Sequence, residues 1–221
     1  MERYCPQKGE IHFAGALENN EDTGTLQYLA STAMEVGFST RVLDMQALDL
    51  QNGRFFDPAG ELVNRCFKLY PWEWMVDESP DGCLAEMEWL EPIWKLVMSN
   101  KAILATLYEL FPDSPYVLPC YLSRPRSGLF CKKPVFSREG HNVSVVDIRD
   151  WEEYVRIAET EGDYNTGAYV YQEYVEPTAY SGRYPVIGSW IIGGEAAGIG
   201  IRENRMEVAD NLSEFVPHII G

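Results

Sequence analysis

Basic residues are scarce in this sequence: 18 lysines and arginines stand against 34 aspartates and glutamates, for a formal net charge of -16 and a pI near 4.5. With no basic excess to displace phosphate counterions, nucleic acid and anionic membrane surfaces are excluded as main partners. Any phosphate must be held locally. Long apolar runs are missing too, and none approaches the roughly 20 residues that span a bilayer, so no membrane partner is expected. The opening MERYCPQKGE lacks the charged-then-apolar layout of a secretion signal, and the expected compartment is the cytoplasm. Histidine occurs three times, and the five cysteines (Cys5, Cys66, Cys83, Cys120, Cys131) are odd in number and irregularly spaced. Neither a paired metal-ligand motif nor a disulfide framework fits them, and reduced thiols are expected.

The 221 residues, 46% hydrophobic and 24% charged, suit one globular domain or two small lobes sharing a cleft. In EIHFAGALENNEDTGTLQYLASTAMEVGFSTRVLDM an apolar strand (11–17), an acidic loop, helical spacing (26–36) and a stop at Gly37 predict one β-α-β unit. GRFFDPAGELVNRCFKLYPWEW reads as a hairpin turning at 57–60, followed by a strand over 66–70. The acidic stretch VDESPDGCLAEMEW reads as a surface loop entering a short helix, and as the seam between two lobes. SNKAILATLYELFP predicts a helix closed by Pro112, with Ala102, Leu104, Leu107 and Leu110 inward. Strands follow over 133–136, 144–146, 169–175, 184–192 and 197–201, with Gly193-Gly194 as a hairpin turn.

Three segments can carry chemistry. CKKPVFSREGHNV places Lys132, Lys133 and Arg138 ahead of Gly140 in a chain otherwise acidic. A strand lysine leading into a glycine loop can seat an anion, since a backbone without Cβ hindrance lets amide N–H groups close on it; equally, the three cations relieve local negative charge as solvated surface. YVYQEYVEP is an alternating strand running into a linker, whose backbone edge can pair with a purine ring, or simply a strand. YPVIGSWIIGGEAAGIGIREN is an apolar hairpin ending at Arg202, a rim cation or a working one.

In order, EPIWKLVMSNKAILATLYELFP, KKPVFSREGHNV, YVYQEYVEP, PVIGSWIIGGEAAGIGIREN and DNLSEFVPHII resemble the C-terminal synthetase region of the glutathionylspermidine synthase family, as do FAGALENNEDTGTLQYLASTA and CFKLYPWEW nearer the start. The resemblance implies an α/β (α+β) ATP-grasp-like fold: a β-α-β and hairpin substrate-side lobe over 1–95, then an antiparallel-sheet, nucleotide-binding lobe over 96–221. It implies a ligase that activates a peptide or thiol-peptide carboxylate as an acyl phosphate, using ATP with magnesium, for attack by an amine. The partners implied are small molecules, a glutathione-like peptide and a polyamine-like amine. Positioning and charge neutralisation carry such phosphoryl transfer.

Residue by residue, Lys101 and Lys133 match the family's ATP-contacting lysines and Gly140 its glycine over the phosphates. Gln172, Glu173, Tyr174 and Val175 match the strand along the adenine, and Met206 an apolar residue packed on that ring. Arg138 and Arg202 sit on family arginines, with phosphate or acyl-phosphate contact inferred. Glu21 and Asp22 fall where acidic side chains meet glutathione, or else form a helix N-terminal pair favoured by the dipole. Trp74 stands where a characterised synthetase has a small hydroxyl residue; with Tyr70 and Trp72 it is a substrate wall or core packing.

The family's magnesium-ligand segment, with an arginine, an aspartate and a Glu-x-Asn pair, has no match between Met1 and Glu10, and no amidase half with its Cys/His pair is recognisable. The expectation is that a missing N-terminal half or a second chain supplies the magnesium ligands. The alternative is a truncated, non-catalytic nucleotide- or partner-binding ATP-grasp fragment.

Overall fold

The computed structural model describes residues 9–150, 153–164, 167–208 and 213–219. The chain divides into two compact units, Met1–Val97 and Met98–Gly221. No helix among the described residues is long and apolar enough to cross a membrane.

In the first unit, β1 (Glu10–Gly15), α1 (Asn20–Glu35) and β2 (Ser39–Asp44) form the β-α-β unit, with β1 and β2 parallel. Asn19 caps α1, its side chain accepting from the backbone N–H of Glu21 at 2.9 Å. The helix ends in a Schellman arrangement: Gly37 N donates to Met34 O at 2.9 Å and Phe38 N to Ala33 O at 3.1 Å, with Gly37 at φ 90. Phe38 and Ala33 then join Ile11, Phe13, Leu26 and Ala30 in one buried cluster. The helix stops where its backbone bonds and its apolar contacts are satisfied together.

A small antiparallel sheet of β3 (Asp49–Gln51), β4 (Arg54–Phe56) and β5 (Leu62–Val63) follows, containing the expected hairpin. Its turn is organised by Asp57, which accepts through Oδ1 from Ala59 N and Glu61 N, each at 2.9 Å. β6 (Arg65–Leu69) returns to the main sheet beside β1, and β7 (Glu88–Leu90) extends it, giving the all-parallel order β2-β1-β6-β7. The acidic stretch departs from expectation. α2 (Trp72–Glu78) runs into its opening residues, where a loop is expected, the short helix α3 (Pro80–Cys83) follows, and the stretch lies inside the first unit rather than at a seam. Trp72 and Met75, three apart on α2, bury into the cluster around Cys66, Phe55 and Trp89, and this packing outweighs the local acidity.

Short α4 (Leu96–Ser99) leads to α5 (Ala102–Leu110). On α5 the buried position is Ala105, while Leu110, expected inward, is 65% exposed at the helix end. β8 (Cys120–Tyr121), β9 (Gly128–Pro134), β10 (Ser144–Ile148), β11 (Tyr154–Glu159) and β12 (Tyr169–Glu173) form an antiparallel sheet in the order β11-β10-β9-β12-β8. One face packs Ala105 of α5 with Cys120 and Val170; the other packs Phe130, Val146 and Ile148. β13 (Tyr184–Ile192), β14 (Glu195–Asn204) and β15 (Glu214–Val216) make a separate three-stranded antiparallel sheet with β13 at its edge. Along β13 the side chains of Ile187, Trp190, Ile191 and Ile192 are 67, 64, 63 and 63% exposed.

Candidate functional site

Strand alternation separates the two adjacent lysines of β9. Lys132 lies opposite Tyr171 and Ser144, and its Nζ sits 3.9 Å from the centre of the Tyr169 ring. Lys133 lies opposite Val170 on the face that α5 covers, and its Nζ donates to Gln172 Oε1 at 2.6 Å. Lys133, Gln172 and Cys131 line a cavity of about 420 Å³ in the second unit. Cys131 is two residues back along the strand and opposite Gln172. Burial pushes the Cys131 thiol up, opposed by the charge of Lys133.

Lys101 enters the same cavity from the start of α5. Its backbone N–H donates to Val135 O at 2.8 Å and its Nζ to Ser137 O at 2.5 Å, which ties the helix start to the segment leaving β9. That segment continues as the loop bearing Arg138, Glu139 and Gly140, all on the cavity wall. His141 N closes it onto Arg138 O at 2.8 Å, and Glu139, Gly140 and Asn142 adopt φ of 52, 73 and 53. A turn of this kind can present its backbone N–H groups to an anion.

The loop is held from behind. Thr160, just past β11, donates through Oγ1 to Gly140 O at 2.5 Å and accepts from Val143 N at 2.9 Å. Asn142 Oδ1 accepts from Tyr164 N at 2.8 Å. Between them, Gly162 lies so close that a Cβ placed there would come within 2.5 Å of His141 Cβ and 2.9 Å of Asn142 Oδ1.

The opposite end of the cavity is the exit of β12. Glu173, Tyr174 and Val175 follow Gln172 along the wall, anchored by Glu173 N to Pro119 O at 2.8 Å and Tyr174 N to Leu129 O at 3.0 Å. The Tyr174 hydroxyl donates to Glu207 Oε2 at 2.7 Å, and Glu207 and Val208 complete this wall. Burial first, then the bond to that carboxylate, pushes the Tyr174 phenol up to about 12, so it stays a donor across the neutral range.

Of the residues expected from sequence, Lys101, Lys133, Arg138, Gly140, Gln172, Glu173, Tyr174 and Val175 come together around this one cavity. Met206 is 55% exposed, and the residues after it, Glu207 and Val208, form the lining. Arg202 lies on β14 with its guanidinium carbon 5.8 Å from the Phe215 ring centre, outside that lining. In the first unit, Glu21 and Asp22 occupy the opening turn of α1. Trp74 is 41% exposed on α2 and meets Tyr70 edge to face at 5.5 Å. Cys131, Val145 and Glu207 were not among the expected site residues. The period of two through Lys133 points to Cys131, whereas Glu207 carries no local signal.

The whole described cavity falls within a match, over residues 2–221, to the family model described as glutathionylspermidine synthase preATP-grasp. The chain belongs to the glutathionylspermidine synthase family. It is 34% identical over 221 residues to a Haemophilus influenzae protein that carries the name acid–amine ligase, covering 96% of this chain and 56% of that one. It is 28% identical to trypanothione synthetase of Crithidia fasciculata (96% of this chain, 36% of that one). It is 26% identical to the bifunctional glutathionylspermidine synthetase/amidase of Escherichia coli (90% and 36%). The chain thus spans about half the length, or less, of these glutathionylspermidine synthase relatives. Among solved structures, D-cycloserine synthetase DcsG superposes with a TM-score of 0.52 at 14% identity, covering 88% of this chain and 68% of that one. That likeness concerns the fold, which is α/β and ATP-grasp-like with a β-α-β lobe followed by an antiparallel-sheet lobe.

Proposed function

We propose that this chain carries the nucleotide-binding part of an ATP-dependent carboxylate–amine ligase of the glutathionylspermidine synthase type, working in the cytoplasm. The observation that carries the reading is the convergence of Lys101, Lys133, Arg138 and the left-handed Gly140 loop on a cavity whose other end is the backbone edge of Glu173 to Val175. The cations and loop N–H groups suit a polyphosphate; the strand exit suits a purine edge. ATP supplies the phosphoryl group that turns a peptide or thiol-peptide carboxylate into an acyl phosphate. An amine then forms the amide and phosphate leaves. The chain's own part is positioning and charge neutralisation, with Arg138 and Arg202 assigned to phosphate or acyl-phosphate contact and Met206 to packing on the base. Glu21, Asp22 and Trp74 are assigned to a glutathione-like substrate; a polyamine-like amine is the co-substrate.

Among the described residues no group of three or more His, Cys, Asp or Glu side chains is placed to hold a metal ion, and this reading assigns no step to magnesium. The test is calorimetric titration of ATP, with and without Mg²⁺, into this chain and into Lys133→Ala. Saturable binding weakened in the variant supports the nucleotide site; equal binding by both, or none by either, removes it.

The alternative reading is a nucleotide- or partner-binding ATP-grasp fragment that does no chemistry. Amide product formed from ATP, a peptide carboxylate and an amine by this chain alone would eliminate it.

A further inference from the structure

β13 is bonded along one side. It pairs with β14 over Tyr184–Ile192, and among the described residues no strand lies on its other side. The open side presents a row of backbone N–H and C=O groups to any strand laid along it. Side chains alternate across such a strand, so Ile187 and Ile191 project from one face of the sheet and Val186, Trp190 and Ile192 from the other. Ile187, Trp190, Ile191 and Ile192 are all exposed.

The strand is its own complement. Laid antiparallel to a second copy about a twofold axis at Ser189, Ile187 falls opposite Ile191, Val186 opposite Ile192, and Gly188 opposite Trp190. Each apolar side chain then meets an apolar neighbour, and the indole covers the bare glycine. There is room for it: Gly200 O, at 3.7 Å, is the nearest atom to a Cβ placed on Gly188. Pro185, with no N–H to give, falls beyond the end of this ladder. The flanking charges select the same direction. Arg183 directly precedes β13, and Glu195 opens β14 opposite Ile192. The antiparallel arrangement brings Arg183 of one copy level with Glu195 of the other at both ends, whereas a parallel one sets like charges side by side. Within one copy the Arg183 guanidinium lies 3.7 Å from Glu214 Oε2, longer than a hydrogen bond, so a second carboxylate is a gain.

We propose that β13 is a homodimerisation edge, at which two copies of this chain join 186–192 antiparallel about Ser189 and make one continuous sheet of their two three-stranded ones. A pairing of this kind is isologous and closes at two copies, because each edge is consumed by the other. The inference stands apart from the nucleotide reading, since β13 contributes nothing to the lining of that cavity.

The test is sedimentation velocity on the full chain over a range of concentrations, with disulfide trapping to read the register. A reversible monomer–dimer equilibrium that stops at two copies is expected. Ile187→Lys changes an exposed side chain and should raise the dissociation constant at least about tenfold by setting a charge inside the ladder. Arg183→Glu and Glu195→Arg should each raise it about threefold, and the two together should restore it. On the axis, the two Cα atoms of Ser189→Cys stand about 4.5–5.5 Å apart, within disulfide reach, so oxidation should yield a covalent dimer. Tyr184→Cys, whose two copies lie at opposite ends of the pair, and the parent chain with its native cysteines should yield none. A monomer at every concentration would overturn the dimer and leave the edge to a different chain. Growth past two copies, a dissociation constant unmoved by Ile187→Lys, or failure of Ser189→Cys to cross-link above the two controls would overturn it as well.

Discussion

Lys133 of β9 and Gln172 of β12 are diagonal neighbours on one face of the sheet, joined by a 2.6 Å bond from Nζ to Oε1. The bond holds the ammonium group on the cavity side of the sheet, while Lys132 stacks on Tyr169 on the other side. Substituting the two lysines separately therefore tests the site against simple charge. Lys133→Ala should weaken ATP binding at least about tenfold, as loss of a charge-assisted contact does. Lys132→Ala removes the same charge and one cation–π contact, worth about 0.5–1 kcal/mol of stability, and should leave ATP affinity within about twofold. Calorimetry on both variants decides; equal losses would reduce the patch to general electrostatics.

The turn carrying Gly140 depends on a residue outside it. Gly162→Ala forces a methyl against His141 Cβ, 2.5 Å from where it would stand, so the loop must shift. A cost of about 1–3 kcal/mol in stability is expected, accompanied by weaker ATP binding. Thr160→Val, which loses the bond to Gly140 O, should move ATP affinity in the same direction with a smaller steric cost. Thermal unfolding and nucleotide titration of both variants check this. Unchanged affinity in both would separate loop shape from binding.

Tyr174 and Glu207 offer a spectroscopic test. With the phenol pushed up to about 12, its ionisation should be seen in ultraviolet titration well above the ordinary tyrosine range, and Glu207→Gln should bring it down. The proton is held more tightly folded than unfolded. The stability it contributes is therefore complete below about pH 10 and disappears as pH rises towards 12.

Lys68 behaves in the opposite sense. It is 6% exposed, donates to Tyr70 O at 2.6 Å, and lies 3.8 Å from the Trp72 ring centre. Burial lowers its pKa from 10.5 to about 8. Between those values the unfolded chain holds the proton and the folded chain does not, so stability rises with pH and is lost as pH falls through about 8. The whole window is worth about 3 kcal/mol. Burial raises the thiols of Cys66, Cys83, Cys120 and Cys131, which works in the opposite sense in both proteins, so denaturant unfolding at stepped pH should show the parent chain gaining stability relative to Lys68→Met as pH rises from about 8; parallel curves would place the lysine in water.

Much of this was legible in sequence because the relevant signals are local. The hairpin turning at Gly193-Gly194 between β13 and β14, the turn at Asp57 and the stop at Gly37 each rest on neighbouring residues, and the period of two in β9 separates Lys132 from Lys133. Where the determinants are distant, reading fails. Nothing in CKKPVFSREGHNV reveals that Thr160 and Gly162 brace its loop. Strand β11, with Tyr154, Val155, Arg156 and Ile157 all exposed, has no buried face to betray it. Helix α2 is hidden by its acidic residues, since its reason for existing is the pocket that Trp72 and Met75 fill. Glu207 reaches the cavity through the course of the chain after β14, which no motif encodes.

Strand β13 has a consequence for anyone who concentrates this protein. Its run of exposed Ile187, Trp190, Ile191 and Ile192 ends a sheet, and no charged side chain interrupts Tyr184–Ile192. An edge of that kind is ordinarily blunted by lysine or by cover. The net charge of -16 opposes the approach of a second copy, a long-range repulsion that added electrolyte shortens to about 10 Å at 0.1 M and about 3 Å at 1 M. Added salt is therefore expected to shorten the time a concentrated solution stays clear.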